Sequence, residues 1–205
     1  TRDHAVINSC KMAVAAWAAV LRLLGESIHT YDQQIDSLAR QHPDYALMNS
    51  FPGAGPVLTP RLIAALGSQR DRFATAYEVQ CYSGIAPVVA ASGKQRWVHW
   101  RWACPKFLRQ TLHEWALHSV GHCDWAREHY QAQRDKGKSR HTAVRSLAFK
   151  WIRILVRCWR DRKPYDEAAY LRALSARRPR PAEVERVELQ WKNVAGFRKI
   201  TTVQA

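Results

Sequence analysis

Acidic residues are the scarce component of this chain. Its 205 residues hold 17 Asp and Glu against 32 Lys and Arg, a net charge of +15. From Val79 to His113 there is no carboxylate at all, while Lys94, Arg96, Arg101, Lys106 and Arg109 fall within that stretch. A surface so short of negative charge attracts phosphates. Nucleic acid is therefore the first partner to consider, and an anionic membrane surface the second. Cysteines are few: Cys10, Cys81, Cys104, Cys123 and Cys158 are widely spaced, odd in number and form no C-x-x-C pair. That pattern suggests neither a zinc ribbon nor a disulfide framework and fits a reduced, cytosolic setting. Long apolar runs are missing too. The longest, Ala13 to Leu21, falls far short of the roughly 20 residues that span a bilayer, so no membrane partner is expected. There is no visible signal peptide and no internal repeat. The chain starts at Thr1 rather than Met, which suggests the C-terminal portion of a longer protein.

What is present reads as a mostly α-helical protein. Residues 5 to 24 form a helix rich in Ala, Val and Leu with Trp17. A second helix, 26 to 40, carries Ile28, Tyr31, Ile35 and Leu38 at spacings of three and four. His42-Pro43 ends it. Together residues 1–43 read as a helical hairpin or coiled-coil arm, suited either to packing on the main domain or to dimerisation. Phe51-Pro52-Gly53-Ala54-Gly55-Pro56 then leads into a helix through Gly67. Helix, Pro-Gly-x-Gly, helix is a helix-hairpin-helix-like pattern. Glycines such as Gly53 and Gly55 let backbone N–H groups approach a phosphate at a helix N-terminus; a tight turn with no ligand is the equal alternative. A short helical piece covers 71 to 82.

The acid-free stretch contains Tyr82-Ser83-Gly84-Ile85-Ala86-Pro87 and Ala91-Ser92-Gly93-Lys94. Ser92 is uncrowded between a small residue and glycine, and Lys94 two positions on can stabilise charge on a reacting phosphate. Ser92-Gly93 also fits a simple turn. Trp97-Val98-His99-Trp100-Arg101-Trp102 alternates. If extended, it sets Val98, Trp100 and Trp102 on one face and Trp97, His99 and Arg101 on the other. Such a segment either enters the core or stacks on unpaired bases.

Pro105 opens a helix to about Val120. His113, His118, His122 and Cys123 lack the H-E-x-x-H spacing, and a zinc site is not assigned. A helix from Asp124 to Arg134 follows, and Ser139 caps the next. From 140 to 161, Val144, Leu147, Trp151, Ile154, Leu155 and Cys158 fall on one side; Arg145, Lys150, Arg153, Arg157 and Arg160 fall on the other. That cationic stripe is either a solvated face or a phosphate track. A last helix runs to about Leu174. Residues 44–175 read as the main domain and 176–205 as a basic linker or disordered tail.

The runs Phe51 to Pro56, Tyr82 to Pro87 and Ser92-Gly93-Lys94 occur together. With Trp100 to Gln110 and Ala148 to Leu155, they resemble a known family. Over roughly residues 5 to 175 the chain is similar to the C-terminal transposase domain of the insertion-sequence recombinases guided by a bridge RNA, a group that includes the Piv-type DNA invertases. That resemblance implies a serine that attacks a DNA phosphate and forms a 5′-phosphoserine link. Carried onto this chain, the serine is Ser92, with Ser83 as second candidate. It implies an N-terminal RuvC-like domain holding Mg²⁺ on four acidic residues; this chain lacks that domain, so no cofactor is expected in it and alone it should be inactive. It further implies donor and target DNA, a guide RNA, homo-oligomers and a prokaryotic, nucleoid-associated location. Gly53, Gly55, Lys94, Arg96, Arg101, Lys106, Arg109, Arg145, Arg153 and Arg157 are the expected nucleic-acid contacts. The rival reading is a non-catalytic module that grips DNA or RNA backbones.

Overall fold

The computed structural model describes residues 2–177. Most of the expected tail, 178–205, lies outside the described residues. The chain divides into two compact units, one ending at Tyr165 and the other beginning at Asp166. In the first, the elements are α1 (His4–Arg40), α2 (Tyr45–Asn49), α3 (Gly55–Leu66), a 3-10 turn (Arg70–Arg72), α4 (Ala76–Tyr82), β1 (Val88–Ser92), β2 (Gln95–His99), α5 (Lys106–Ser119), α6 (Asp124–Asp135) and α7 (Arg140–Asp161). In the second, α8 (Glu167–Arg177) starts on an Asp166 side chain that accepts a hydrogen bond from the Ala169 amide at 3.1 Å. The protein is thus mostly α, with one two-stranded antiparallel sheet among the described residues.

The expected helical hairpin at the N-terminus is instead one helix of 37 residues, about 55 Å long at 1.5 Å per residue. Gly25 is its only interior breaker, and no proline lies within it. A glycine costs a helix about 1 kcal/mol, too little to interrupt so many good helix formers. Asp3 caps the first turn by accepting from the Ala5 amide. Trp17, Leu21, Leu24, Ile28, Tyr31, Ile35 and Leu38 all stand exposed along it. By length and composition α1 is also apolar enough to cross a bilayer, because a stretch with at most two charged residues passes where an unbroken apolar run does not.

The core forms around α7. Ala143, Val144, Leu147, Ala148, Trp151, Ile152, Leu155, Val156 and Trp159 are buried along its length, while Ile154 and Cys158 are only half-buried. The Trp151 ring meets Trp125 at 4.6 Å, Trp115 at 5.1 Å, Tyr165 at 5.4 Å and Phe51 at 6.2 Å. Its indole N–H donates to Ser119 Oγ at 2.7 Å, and that hydroxyl donates on to the Ala116 carbonyl at 2.7 Å. Edge-on and tilted rings of this kind add about 0.5–1.5 kcal/mol per pair beyond the area they bury. At the other end of α7, the buried Asp44 carboxylate accepts from Trp159 Nε1 at 3.1 Å and pairs with the Arg70 guanidinium, which also donates to the Trp159 carbonyl at 2.8 Å. The carboxylate's charge is therefore both paired and hydrogen-bonded, as burial demands.

Two expectations follow. Trp151→Ala should destabilise the first unit by about 3–5 kcal/mol, read as a lower midpoint in chemical denaturation. The second concerns His129 on α6, whose Nε2 lies 3.1 Å from Ser146 Oγ. Burial, and then the nearby Lys150 and Lys136, push its pKa down to about 4. The folded state therefore binds fewer protons than the unfolded state between about pH 6.5 and 4, and stability falls as pH drops through that window. His129→Gln should flatten the decline in Tm over that range; an unchanged slope would assign the pH dependence to other groups.

Candidate nucleic-acid interface

The acid-free stretch folds into a hairpin that stands out from the helical core. Pairing runs from Val88 opposite His99 to Ser92 opposite Gln95, leaving Gly93 and Lys94 as a two-residue turn. Gly93 has φ of +57°, and a positive φ at the first central position is what a type II′ hairpin turn requires. Ser92 and Lys94 are both exposed at this tip. No described residue of either strand is buried, and each strand pairs only with the other. The Trp-rich segment is therefore not core: Trp97 and Trp100 are each 45% exposed and Trp102 is 84% exposed.

The hairpin is held at its root. Arg145 of α7 donates from Nε to the Ile85 carbonyl at 2.9 Å, on the entry side. Its guanidinium lies over the Trp100 ring at 3.9 Å, on the exit side. One side chain thus clamps both ends of the loop. Gly84 packs beside Cys104, where an added Cβ would lie 2.5 Å from Sγ. Cys104 in turn sits near the Arg101 carbonyl, with its Sγ 3.6 Å away.

Cations gather here without carboxylates. Arg101 is half-buried, and its enclosed Nε has no hydrogen-bond partner among the described residues. Arg145 Nη2 is in the same condition. Burial, and after it the neighbouring Arg109 charge, lower the Arg145 pKa. Buried polar groups are normally paired; these two enclosed donors are not, and no carboxylate among the described residues offsets their charge. Lys106 is exposed at the start of α5 and Arg109 half-buried one turn later. Arg96 lies on β2 opposite Ala91. Arg153 and Arg157 are exposed further along α7, about 12 and 18 Å beyond Arg145 at 1.5 Å per residue. Arg157 is 3.7 Å from Asp161.

Other sequence candidates have different surroundings. Ser83 is fully buried at the end of α4, its hydroxyl donating to the Gln80 carbonyl at 3.2 Å. Gly53 (φ +73°) faces inward. A Cβ there would lie 2.8 Å from the His118 carbonyl carbon and 2.9 Å from the Ser119 amide. The adjacent Pro52 carbonyl accepts from Trp115 Nε1 at 3.1 Å. Between α2 and α3 the chain does turn, but the backbone that Gly53 approaches there is that of α5. Gly55, at the start of α3, is open, with nothing within 4 Å of its Cβ position. His113 packs on His141 at 5.9 Å, and His122 Nδ1 lies 3.0 Å from the His118 carbonyl. The part sequence reasoning missed is the Arg145 clamp. It joins positions sixty residues apart, and no local pattern announces it.

Replacing Arg145 with Met keeps much of the packing volume and removes the clamp. Limited proteolysis should then cut within 88–99 several-fold faster, while global Tm falls only modestly. Equal protection of the variant and the parent chain would show that the hairpin holds itself.

Residues 45–131 match the family model of the Transposase IS116/IS110/IS902 family. The chain is 31% identical over 152 residues to the IS117 mini-circle protein of Streptomyces coelicolor, covering 73% of this chain and 37% of that one. It is 27% identical over 173 residues to the 42 kDa protein of insertion element IS900 from Mycobacterium paratuberculosis, covering 81% and 43%. It is 28% identical over 159 residues to the 43.6 kDa protein of insertion element IS110 from Streptomyces coelicolor, covering 76% and 38%. The chain spans about two fifths of the length of these relatives. The hairpin, the helices α2 to α5 and the first turns of α6 lie inside the matched region, and through it the chain belongs to the IS116/IS110/IS902 transposase family.

Proposed function

We propose that this chain is the serine-bearing half of a site-specific DNA recombinase, in which Ser92 attacks a DNA phosphate. One observation carries the reading. Ser92 is exposed at the tip of a hairpin that is free of carboxylates, with Lys94 in the same turn. A nucleophile for a phosphodiester needs access to the phosphorus and cations for the charge that builds on its oxygens. The tip gives access, and Lys94, Lys106 and Arg109, with Arg101 and Arg145 at the root, supply positive charge. Family membership supports DNA as the substrate. In the step itself the serine oxygen–phosphorus bond forms, the bond from phosphorus to the 3′ oxygen breaks, and the 3′-hydroxyl leaves.

The serine proton needs an acceptor, and Val79 to His113 contains no carboxylate. Among the described residues no three His, Cys, Asp or Glu side chains come together as a metal cage. The proposed RuvC-like domain, holding Mg²⁺, is where that help would come from, so the working site is shared between domains. The proposal extends to a guide RNA that selects donor and target DNA, and to homo-oligomers assembled through the exposed apolar side chains of α1.

The backbone-binding reading without catalysis has one observation of its own, the exposed Arg153 and Arg157 on α7. Covalent trapping separates the two. With a nicked suicide DNA substrate, the full-length protein and its RNA, Ser92→Ala should abolish a protein–DNA adduct while DNA affinity stays within about twofold. An adduct that persists in Ser92→Ala refutes the assignment. No adduct with either protein, on DNA that a control recombinase cleaves, leaves the binding module as the function.

A further inference from the structure

The hairpin carries more than a hydroxyl and positive charge. The observed register puts Val88, Ala90 and Ser92 on the same face as Gln95, Trp97 and His99. Trp97 is the diagonal cross-strand neighbour of Ser92, at a separation of about 7–8 Å that an aromatic side chain can bridge. Directly opposite Trp97 is Ala90, too small to cover an indole, and the ring remains 45% exposed. Trp102, at 84%, is the most exposed of the large apolar side chains among the described residues and sits at the root of the same hairpin. Trp100 is occupied by Arg145; among the described residues neither Trp97 nor Trp102 has a ring or cation partner. Isolated two-stranded hairpins are marginal in water, and leaving bare indoles on one invites aggregation unless a ligand covers them.

We infer that the Ser92 face of the hairpin is a stacking platform for unpaired nucleobases, with Trp97 holding the base that flanks the phosphate presented to Ser92. The occupant is chosen by charge as well as by shape. Flat apolar rings stand amid Lys94, Arg101, Lys106 and Arg109, with no acidic residue between Val79 and His113. That is complementary to a strand offering π-faces and phosphates together, and it disfavours an acid-free apolar protein surface as partner. The inference rests on the Ser92 reading for the identity of the flanking phosphate, whereas the stacking itself does not require Ser92 to react. Duplex DNA hides its base faces, so the platform selects a site where the strand has been opened. Trp97 is in this sense a positioning residue rather than a catalytic one.

The test is fluorescence anisotropy on the 205-residue chain with labelled single-stranded DNA, single-stranded RNA of the same sequence, and the matching DNA duplex. Trp97→Ala should weaken single-strand binding by about 5- to 150-fold, the loss expected for one base–indole stack, and change duplex binding by less than about threefold. Trp97→Phe should restore most of the affinity. A loss confined to DNA or to RNA upholds the platform and tells which strand occupies it. Single-strand affinity unchanged in Trp97→Ala overturns the inference, as does an equal loss on duplex, or a change in solution mass showing that the indole packs against a second copy. Thermal melts verify that Trp97→Ala remains folded; if it does not, Trp102→Ala with the same three ligands decides the matter. Adduct formation is scored separately, so a failed Ser92 assignment with an intact Trp97 effect removes the nucleophile and keeps the platform.

Discussion

The burial of Trp151 is the interaction on which the rest of the first unit depends. Four aromatic rings, from Phe51, Trp115, Trp125 and Tyr165, close around it, and its one polar atom is satisfied by Ser119. That single residue ties α7 to the α2–α3 turn, to α5, to α6 and to the segment that ends the unit. Fixing α7 in this way also fixes Arg145, six residues earlier and about 120° round the helix from it, beneath the root of the hairpin. The core and the site are thus two sides of one helix. A loosened Trp151 pocket would be felt at the tip carrying Ser92 through the Arg145 clamp rather than through any contact of Ser92 with the core.

How much of this was legible depends on the range of the interaction. α5 and α7 were readable because their apolar residues recur at helical spacing and because Pro105 and Ser139 mark their starts. A turn was readable at Ser92-Gly93, one residue before its observed place at Gly93-Lys94, yet the strands on either side were not fully so. Trp97 to Trp102 looked more like core than like a stacking surface, since alternation alone does not say what covers a face. α1 was read as two helices that meet at Gly25, yet one glycine costs only about 1 kcal/mol against 36 helix-compatible neighbours. Gly53 looked like a phosphate-approach glycine, and the close approach is real, but the backbone approached belongs to His118 and Ser119. Sequence spacing shows that room is needed; only the packed structure shows for whom. Arg145 was read as one cation in a stripe. Its partners Ile85 and Trp100 are sixty and forty-five residues away, beyond any local pattern.

The placement of the ion pairs sharpens the electrostatic picture. Those among the described residues join Arg40 to Asp36, Arg61 to Glu114, Arg70 to Asp44, Arg127 to Asp124 and Arg157 to Asp161. None involves Lys94, Arg101, Lys106, Arg109 or Arg145. The protein's few acids neutralise cations in the helical body and leave those around the hairpin uncompensated. Burial first, and then the neighbouring Arg109 charge, lower the Arg145 pKa, so the charged form is disfavoured where these cations meet. A polyanion relieves that repulsion and releases its own counterions on binding. The same arrangement explains why a basic group at the tip is not a general base: protonated lysine and arginine stabilise negative charge and accept no proton.

For the proposed Ser92 nucleophile an exposed two-stranded hairpin is a paradox, because catalysis rewards rigid placement. Buried in the core, the serine would be fixed, as Ser83 is, but no duplex could reach it. At an unsupported tip it would be reachable and poorly aimed. The structure resolves the conflict by clamping the root and leaving the tip bare, so that final orientation is set by what docks there. On the proposed reading cations at the root would grip the backbone, and the Trp97 indole on the serine's own face would grip the neighbouring base. Neither contact supplies the missing proton acceptor. On the proposed reading such a site would stay idle until nucleic acid and a second domain arrive together, and that dependence would itself guard against stray strand cleavage.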